Sequence, residues 1–95
     1  SEPKLENAVH LLISGHVQSV GYRYWVRSFA VRMGLRGWVR NLENGRVELL
    51  AIGQAADLDQ LVDACRLGPS AAEVSDVTVS DIQGPSGVQG FEIQA

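Results

Sequence analysis

The stretch LRGWVRNLENGRVELLAI, Leu35 to Ile52, predicts a β-hairpin near the middle of the chain. Its two halves, Leu35 to Asn41 and Val47 to Ile52, carry the β-branched, aromatic and apolar residues that are typical of strands. Between them stands Asn44-Gly45, a pair that tolerates the positive φ angles of a type I′ turn. We therefore expect two antiparallel strands joined by a type I′ turn.

A helix is predicted on each side of this hairpin. On the N-terminal side, apolar residues at helical spacing form one stripe, which comprises Tyr22, Val26, Phe29, Ala30 and Met33. Gly34 then suits the left-handed position that ends many helices. On the C-terminal side, a second stripe comprises Leu58, Leu61, Val62 and Cys65. Gly68-Pro69 is expected to end that helix.

Strands are predicted outside both helices. Val9 to Ile13 precedes the first helix, Val77 to Val79 follows the second, and Phe91 to Ile93 is a possible short final strand. The order β-α-β-β-α-β predicts an α+β fold, the ferredoxin-like split βαβ sandwich. Two helices would pack on one face of a four- to five-stranded antiparallel sheet. Residues 1–7 are expected to form a flexible N-terminal tail, and residues 8–95 a single domain.

The composition is that of an ordinary globular domain, with 45% apolar and 20% charged residues among 95. No apolar run approaches the roughly 18 residues that span a membrane, and SEPKLEN lacks the apolar segment of a signal peptide. We therefore expect a cytoplasmic monomer with no membrane partner. The single Cys65 excludes an intrachain disulfide and a multi-cysteine metal site, and its apolar neighbours favour a buried position.

The charges are unevenly distributed along the chain. The net charge of −3 argues against a nucleic-acid partner, which normally requires a basic surface. Five of the eight cations nevertheless fall between Arg23 and Arg40. This asymmetry indicates either a local anion site or a solvated basic face, and charge alone does not choose between them.

The segment GHVQSVGYR, Gly15 to Arg23, adds a more specific signal. It connects the first strand to the first helix, where free backbone N–H groups and the helix dipole favour an anion. Arg23 in the first helical turn opposes that dipole, at a cost of roughly 0.3–1 kcal/mol, and a bound anion would reverse the sign of this contribution. A surface arginine that tolerates the mismatch remains the alternative.

The same segment resembles the acylphosphatase signature G-x-V-Q-G-V-x-F/Y-R. A second block of that family, L-x-G-W-V-x-N, is matched by LRGWVRN, Leu35 to Asn41. NGRVE (Asn44 to Glu48), GPSAAEVSDVTV after the second helix and the closing FEI also fit the family. The resemblance covers residues 8 to 94, and two separate blocks at the correct spacing are more specific than either block alone.

The resemblance implies hydrolysis of acyl phosphates to a carboxylate and inorganic phosphate, without a metal or an organic cofactor. Arg23 resembles the family arginine that binds the phosphate, and Asn41 the asparagine that orients the attacking water. The phosphate-binding loop would comprise His16, Val17, Gln18, Ser19, Val20 and Gly21. Inorganic phosphate or sulfate would compete with the small-molecule substrate.

Ser19 departs from the family pattern, which usually has glycine at this position. If the backbone there needs a positive φ, serine costs free energy and could tilt the N–H groups of the loop; alternatively, its hydroxyl adds a donor. The alternative to the enzyme is therefore a phosphate- or carboxylate-binding regulatory module with weak turnover. A nucleic-acid-binding sandwich is the third candidate, and the acidic composition disfavours it.

Overall fold

The computed structural model describes residues 6–84 and 87–94. The elements follow the predicted order, with one strand beyond the split βαβ pattern. They are β1 (Glu6–His16), α1 (Tyr22–Arg32), β2 (Arg36–Asn41), β3 (Val47–Ile52), α2 (Ala55–Leu67), β4 (Glu73–Gly84) and β5 (Phe91–Gln94). Both helices end where glycine was expected to end them, since Gly34 and Gly68 have φ angles of 73° and 70°. In the described part of the chain, no helix is long and apolar enough to cross a membrane.

The five strands form one sheet in the order β4-β1-β3-β2-β5. The first four strands pair antiparallel, which confirms the ferredoxin-like arrangement. β5 pairs parallel with β2, so the sheet is mixed and not purely antiparallel as expected. Strand direction at β5 depends on which distant strand it joins, and a short apolar run such as FEI carries no signal for that choice.

The β2–β3 hairpin forms as predicted, but its turn is not type I′. Gly45 has a φ of 89°, whereas Asn44 does not have a positive φ. Gly45 N–H donates to Leu42 O at 3.2 Å, and Leu42 N–H donates to Arg46 O at 2.8 Å. This is the pattern of a three-residue loop in which glycine alone takes the left-handed conformation. Asn44 instead accepts a hydrogen bond from the Arg46 N–H through Oδ1, at 3.0 Å.

The last two residues of the flexible tail expected over residues 1–7 belong to a strand instead. Glu6 and Asn7 belong to β1, where they pair with Gly84 and Gln83 of β4; residues 1–5 lie outside the described residues. β4 is also much longer than the three residues expected. It is an edge strand with mostly exposed side chains, so the apolar signal marks only its buried centre.

One apolar cluster joins both helices to one face of the sheet. Its members include Leu11, Ile13, Tyr22, Val26, Ala30, Val39, Leu49, Leu58, Leu61 and Cys65. The Tyr22 hydroxyl donates a 2.7 Å hydrogen bond to Cys65 O and so links α1 to α2. Cys65 is fully buried, as predicted, and burial raises the pKa of its thiol to about 12. A thiol in this state is an inert packing residue.

Candidate active site

The ends of β1 and β2 lie at the same edge of the sheet. Ile13 of β1 and Asn41 of β2 both pair with Val47 of β3, from opposite sides. Ile13 and Asn41 therefore stand in one row across the sheet. The loop over residues 17–21 leaves β1 just beyond this row and leads into α1 at Tyr22. The sheet register thus brings that loop, the first turn of α1 and Asn41 together.

Gly15, the first glycine of the segment GHVQSVGYR, lies where there is no room for a side-chain atom. The β1–β4 register shifts between Ser14 and Gly15, where Gly15 has a φ of 125°. A Cβ atom at this position would overlap the backbone oxygen of Glu73 on β4. Such an irregularity bends a strand and redirects the chain that follows it. The bulge therefore precedes the point at which the chain leaves the sheet for the loop.

The loop backbone has a conformation that suits an anion. Ser19 and Gly21 have φ angles of 63° and 77°, while Val20 between them does not have a positive φ. Successive residues of opposite hand turn their N–H groups toward a common side, which is a frequent anion-binding geometry. Gly21 caps α1 without a side-chain hydrogen bond, and the first turn of α1 contains no acidic residue. The positive end of the helix dipole is thus left without a compensating carboxylate.

The side chain of Gln18 holds the loop against the hairpin. Its Nε2 donates to the backbone oxygens of Leu42 and Arg46, at 2.7 and 2.9 Å. Val17 is fully buried, and Val20 packs against the core. His16 is still part of β1, where it pairs with Glu73. Of the six loop residues predicted for phosphate binding, Val17, Gln18 and Val20 therefore have side-chain contacts with the fold, while His16 is placed by its strand pairing.

A small cavity of about 140 Å³ lies where the loop, α1 and β2 meet. It is lined by Val17, Ser19, Gly21, Tyr22, Arg23, Tyr24 and Asn41. The cavity therefore brings Arg23 and Asn41 together with three of the six predicted loop residues, while His16, Gln18 and Val20 lie outside its lining.

A larger and more open cavity, of about 520 Å³, lies at the opposite end of the sheet near Glu6 and Arg36. Those two side chains pair with each other, so their charges are already compensated.

Arg23 is oriented by the last strand of the sheet. Its Nη1 donates to the backbone oxygen of Gln94 at 3.1 Å. A guanidinium group has five N–H donors in a rigid plane, so one bond to β5 fixes the group and leaves other donors for an oxyanion. Arg27 donates in the same way to Phe91 O at 3.0 Å, and Arg36 to Val88 O at 3.3 Å.

These contacts explain much of the cation asymmetry. Three of the arginines between Arg23 and Arg40 donate to carbonyl oxygens of the segment 88–94, and Arg40 donates to Glu48 at 2.6 Å. The solvated basic face considered from sequence is therefore largely a set of arginines with protein partners. Sequence reasoning missed this role because hydrogen bonds to backbone oxygens leave no pattern in the residues that accept them.

Asn41 lines the cavity and has a deeply buried side-chain oxygen. Its Oδ1 is buried and accepts no hydrogen bond from the residues that the structure describes. Leaving a buried acceptor unsatisfied costs about 1–3 kcal/mol, and such groups are rare in folded proteins. An amide oxygen without a protein partner is suited to accept a hydrogen bond from a small donor such as water.

Tyr24 lines the same cavity and was not singled out from the sequence. It falls between the buried positions Tyr22 and Val26, off the apolar stripe, and is 67% exposed. The available signal was an aromatic residue on the polar side of the first helical turn, directly after Arg23.

Over residues 6–84 and 87–94, no group of three or more His, Cys, Asp or Glu side chains is arranged to hold a metal ion.

The fold and this site together define a class: a ferredoxin-like sandwich with a small cavity at the N-terminus of its first helix, lined by one arginine and one asparagine among other residues. Residues 9–93 match the family model described as Acylphosphatase. The chain is 44% identical over 86 residues to an acylphosphatase of Trichormus variabilis, with 90% of this chain and 84% of that protein covered. It is 45% identical over 85 residues to one of Haloarcula marismortui, with 90% and 92% covered.

The crystal structure of acylphosphatase from Bacillus subtilis has a TM-score of 0.90 to this chain at 35% identity, and covers 94% of this chain and 99% of that one. The chain belongs to the acylphosphatase family. The family resemblance inferred from its two sequence blocks is thereby confirmed.

Proposed function

We propose that this protein hydrolyses acyl phosphates to a carboxylate and inorganic phosphate in the cavity between the 17–21 loop, α1 and β2. Family membership and relatives named acylphosphatase support this activity. The observation that carries the assignment to this cavity is that both Arg23, which is oriented by β5, and Asn41 line it. The buried Oδ1 of Asn41 has no hydrogen-bond partner among the described residues. One group suits an oxyanion, and the other suits a water molecule.

In this proposal Arg23 and backbone N–H groups of the loop bind the phosphoryl oxygens. The guanidinium fork matches tetrahedral oxyanions, and the uncapped start of α1 adds a favourable dipole. Because β5 fixes Arg23 through Gln94, little reorganisation is needed when charge develops on the phosphoryl group. Preorganised donors of this kind are a principal source of catalysis in phosphoryl transfer.

Asn41 orients the attacking water in the same proposal. The water oxygen forms a bond to phosphorus while the bond from phosphorus to the acyl oxygen breaks, so the carboxylate leaves with that electron pair. The water proton passes to a phosphoryl oxygen of the substrate. A neutral amide can position water without repelling the anionic substrate, as a carboxylate would. No strong nucleophile is required because an acyl phosphate is already activated.

No metal or organic cofactor takes part in this proposed reaction. Turnover should therefore persist in EDTA; a loss that added Mg²⁺ or Zn²⁺ reverses would overturn the metal-free mechanism. The competition by phosphate or sulfate, the monomeric state and the cytoplasmic location stay with the proposal as predictions.

The decisive experiment measures hydrolysis of benzoyl phosphate by the wild type, by Arg23→Gln and by Arg32→Gln. Arg32 is a matched control, since it lies at the other end of α1 with its guanidinium carbon 5.9 Å from the centre of the Phe29 ring. We expect Arg23→Gln to lose about 100-fold in kcat/KM and Arg32→Gln to stay near the wild type. A wild type that binds phosphate but turns over no acyl phosphate would favour the regulatory module instead.

A further inference from the structure

The wall of the cavity includes one large exposed side chain, that of Tyr24. Exposed apolar residues are common on protein surfaces and need no explanation one at a time. Val31, Leu67 and Ile82 are exposed as well, but none of them lines the cavity that holds Arg23 and Asn41. Tyr24 differs from these three because its position, one residue after Arg23, places it beside the groups proposed to act on the substrate.

The cavity is too small to enclose a whole acyl phosphate with a bulky acyl group. Its volume of about 140 Å³ corresponds to roughly five water molecules. A phosphoryl group held by Arg23 and the loop would occupy a large part of this space, so a bulky acyl group would extend toward solvent. Two of the apolar lining residues, Val17 and Tyr22, are fully buried and offer little surface to it.

The exposed part of the cavity wall is the part that an extended acyl group can reach. Of the lining residues, Ser19, Gly21 and Tyr24 are exposed, and Tyr24 is the one with a broad apolar face. Because 67% of the surface of Tyr24 is exposed, its ring is free to contact a flat substrate. Aromatic pairs gain attraction beyond simple burial of area, whereas an acetyl methyl group covers little of a ring.

We propose that Tyr24 contacts the acyl group of the substrate and gives this protein a preference for aromatic over small aliphatic acyl phosphates. This inference rests on the proposed function, because it assigns the acyl end of the same substrate. The contact raises kcat/KM for the aromatic substrate through binding energy that the small substrate cannot use. The contribution comes from the ring of Tyr24 and not from its hydroxyl.

The test compares kcat/KM for benzoyl phosphate and acetyl phosphate in the wild type, Tyr24→Ala and Tyr24→Phe. The control is Val31→Ala, an exposed position on the same helix that does not line the cavity. We expect the benzoyl-to-acetyl ratio to fall by about three- to tenfold in Tyr24→Ala. Tyr24→Phe and Val31→Ala should keep the wild-type ratio. Folding should be intact, since Tyr24 lies off the buried stripe and alanine favours helix.

Three results would overturn the inference alone. If Tyr24→Ala leaves the ratio unchanged, or lowers both activities equally, Tyr24 does not select the acyl group. If Tyr24→Phe loses the preference as well, the hydroxyl and not the ring makes the contact. In each of these cases the wild type still hydrolyses both substrates and the proposed function stands. A wild type that hydrolyses neither substrate would overturn the proposed function and this inference together.

Discussion

Arg23 Nη1 donates a 3.1 Å hydrogen bond to the backbone oxygen of Gln94, a residue 71 positions away in the sequence. The bond joins the first turn of α1 to the end of β5, the strand that runs parallel to β2. One turn later on α1, Arg27 Nε donates to Phe91 O at the start of the same strand. β5 therefore acts as a support that aligns the arginine of the candidate site.

Removing the Arg27 donor should reduce activity without touching the cavity. In Arg27→Met the contact with Phe91 is lost, β5 is held less firmly, and the orientation of Arg23 becomes less defined. We expect kcat/KM for an acyl phosphate to fall by up to about tenfold, because small misplacements of a binding group are costly. Stability should fall by only about 0.5–1.5 kcal/mol. Arg32→Met is the control, and equal activity in the two variants would contradict the role of β5.

Inorganic phosphate should inhibit hydrolysis in competition with the substrate. The proposed anion site is formed by Arg23 and the loop, both of which recognise a tetrahedral oxyanion. In Arg23→Gln we expect the inhibition constant for phosphate to rise by about tenfold or more, since a charge-assisted hydrogen bond contributes roughly 1.5–3 kcal/mol. Equal inhibition of both proteins would mean that the anion binds elsewhere.

Asn41→Ala should separate turnover from stability. The substitution removes the water-orienting group, and we expect kcat to fall by about 100-fold. It also removes a buried oxygen without a partner among the described residues, so the melting temperature should not decrease despite the lost side chain. Phosphate inhibition should remain close to that of the wild type. A normal kcat with weakened phosphate inhibition would instead assign Asn41 to the phosphate.

Ser19→Gly tests the departure from the family pattern. The φ of 63° at Ser19 is strained by roughly 1 kcal/mol for a residue with a Cβ atom. Glycine relieves that strain but makes the unfolded chain more flexible, at a cost of about 0.4–1 kcal/mol. We therefore expect little change in melting temperature and a several-fold rise in kcat/KM as the loop N–H groups converge.

Ser19→Ala is the matched control for this change, because it keeps the Cβ atom and removes only the hydroxyl. It should retain the activity of the wild type. A tenfold loss in both variants would show that the hydroxyl is a working donor, and the departure from glycine would then serve the site.

The contacts of Glu48, on the face of the sheet away from the helices, should make the stability of the fold depend on pH in the acid range. Glu48 accepts a hydrogen bond from Arg40, and its Oε2 lies 2.8 Å from His10 Nε2. Burial raises the pKa of the Glu48 carboxyl, but the hydrogen bonds with His10 and Arg40 outweigh it, so the net pKa lies below the ordinary 4.5. A carboxyl group with a lowered pKa stabilises the fold above its unfolded pKa, and this contribution is lost as the pH falls through the folded pKa.

Between about pH 5 and pH 3, the melting temperature of the wild type should therefore fall more steeply than that of Glu48→Gln. Glu43→Gln, in the exposed hairpin loop, should follow the wild type. Parallel curves for all three proteins would show that the Glu48 contacts do not contribute to folding.

Local patterns predicted the elements of this fold well, and long-range contacts account for what they missed. The apolar stripe from Tyr22 to Met33 and the glycine after it define α1 by themselves. The turn at Gly45 was expected in the right place but with the wrong geometry, since loop length is set by how β2 and β3 come into register. The parallel pairing of β5 depends on a strand far away in the sequence.

In the candidate site, too, sequence motifs predicted some residues, and long-range contacts account for those that were missed. Arg23, Ser19, Gly21 and Asn41 were expected together from the family motifs, and the sheet register brings them to one cavity. The role of Gln18 as a link to the hairpin, and of Gln94 as the acceptor for Arg23, could not be inferred because backbone oxygens are the same in every residue. Tyr24 was missed because periodicity identifies the buried face of a helix and not the residues that border a cavity.

The parallel β5 also has a consequence for the order in which the protein folds. The β2–β3 hairpin closes over a few residues, whereas β5 joins β2 only after a long loop is closed, and such contacts form slowly. The β2–β3 hairpin can therefore form before Arg23 gains its partner on Gln94. In a refolding experiment, enzymatic activity should return later than the burial of Trp25 against the core, because the site also needs the contact between Arg23 and β5.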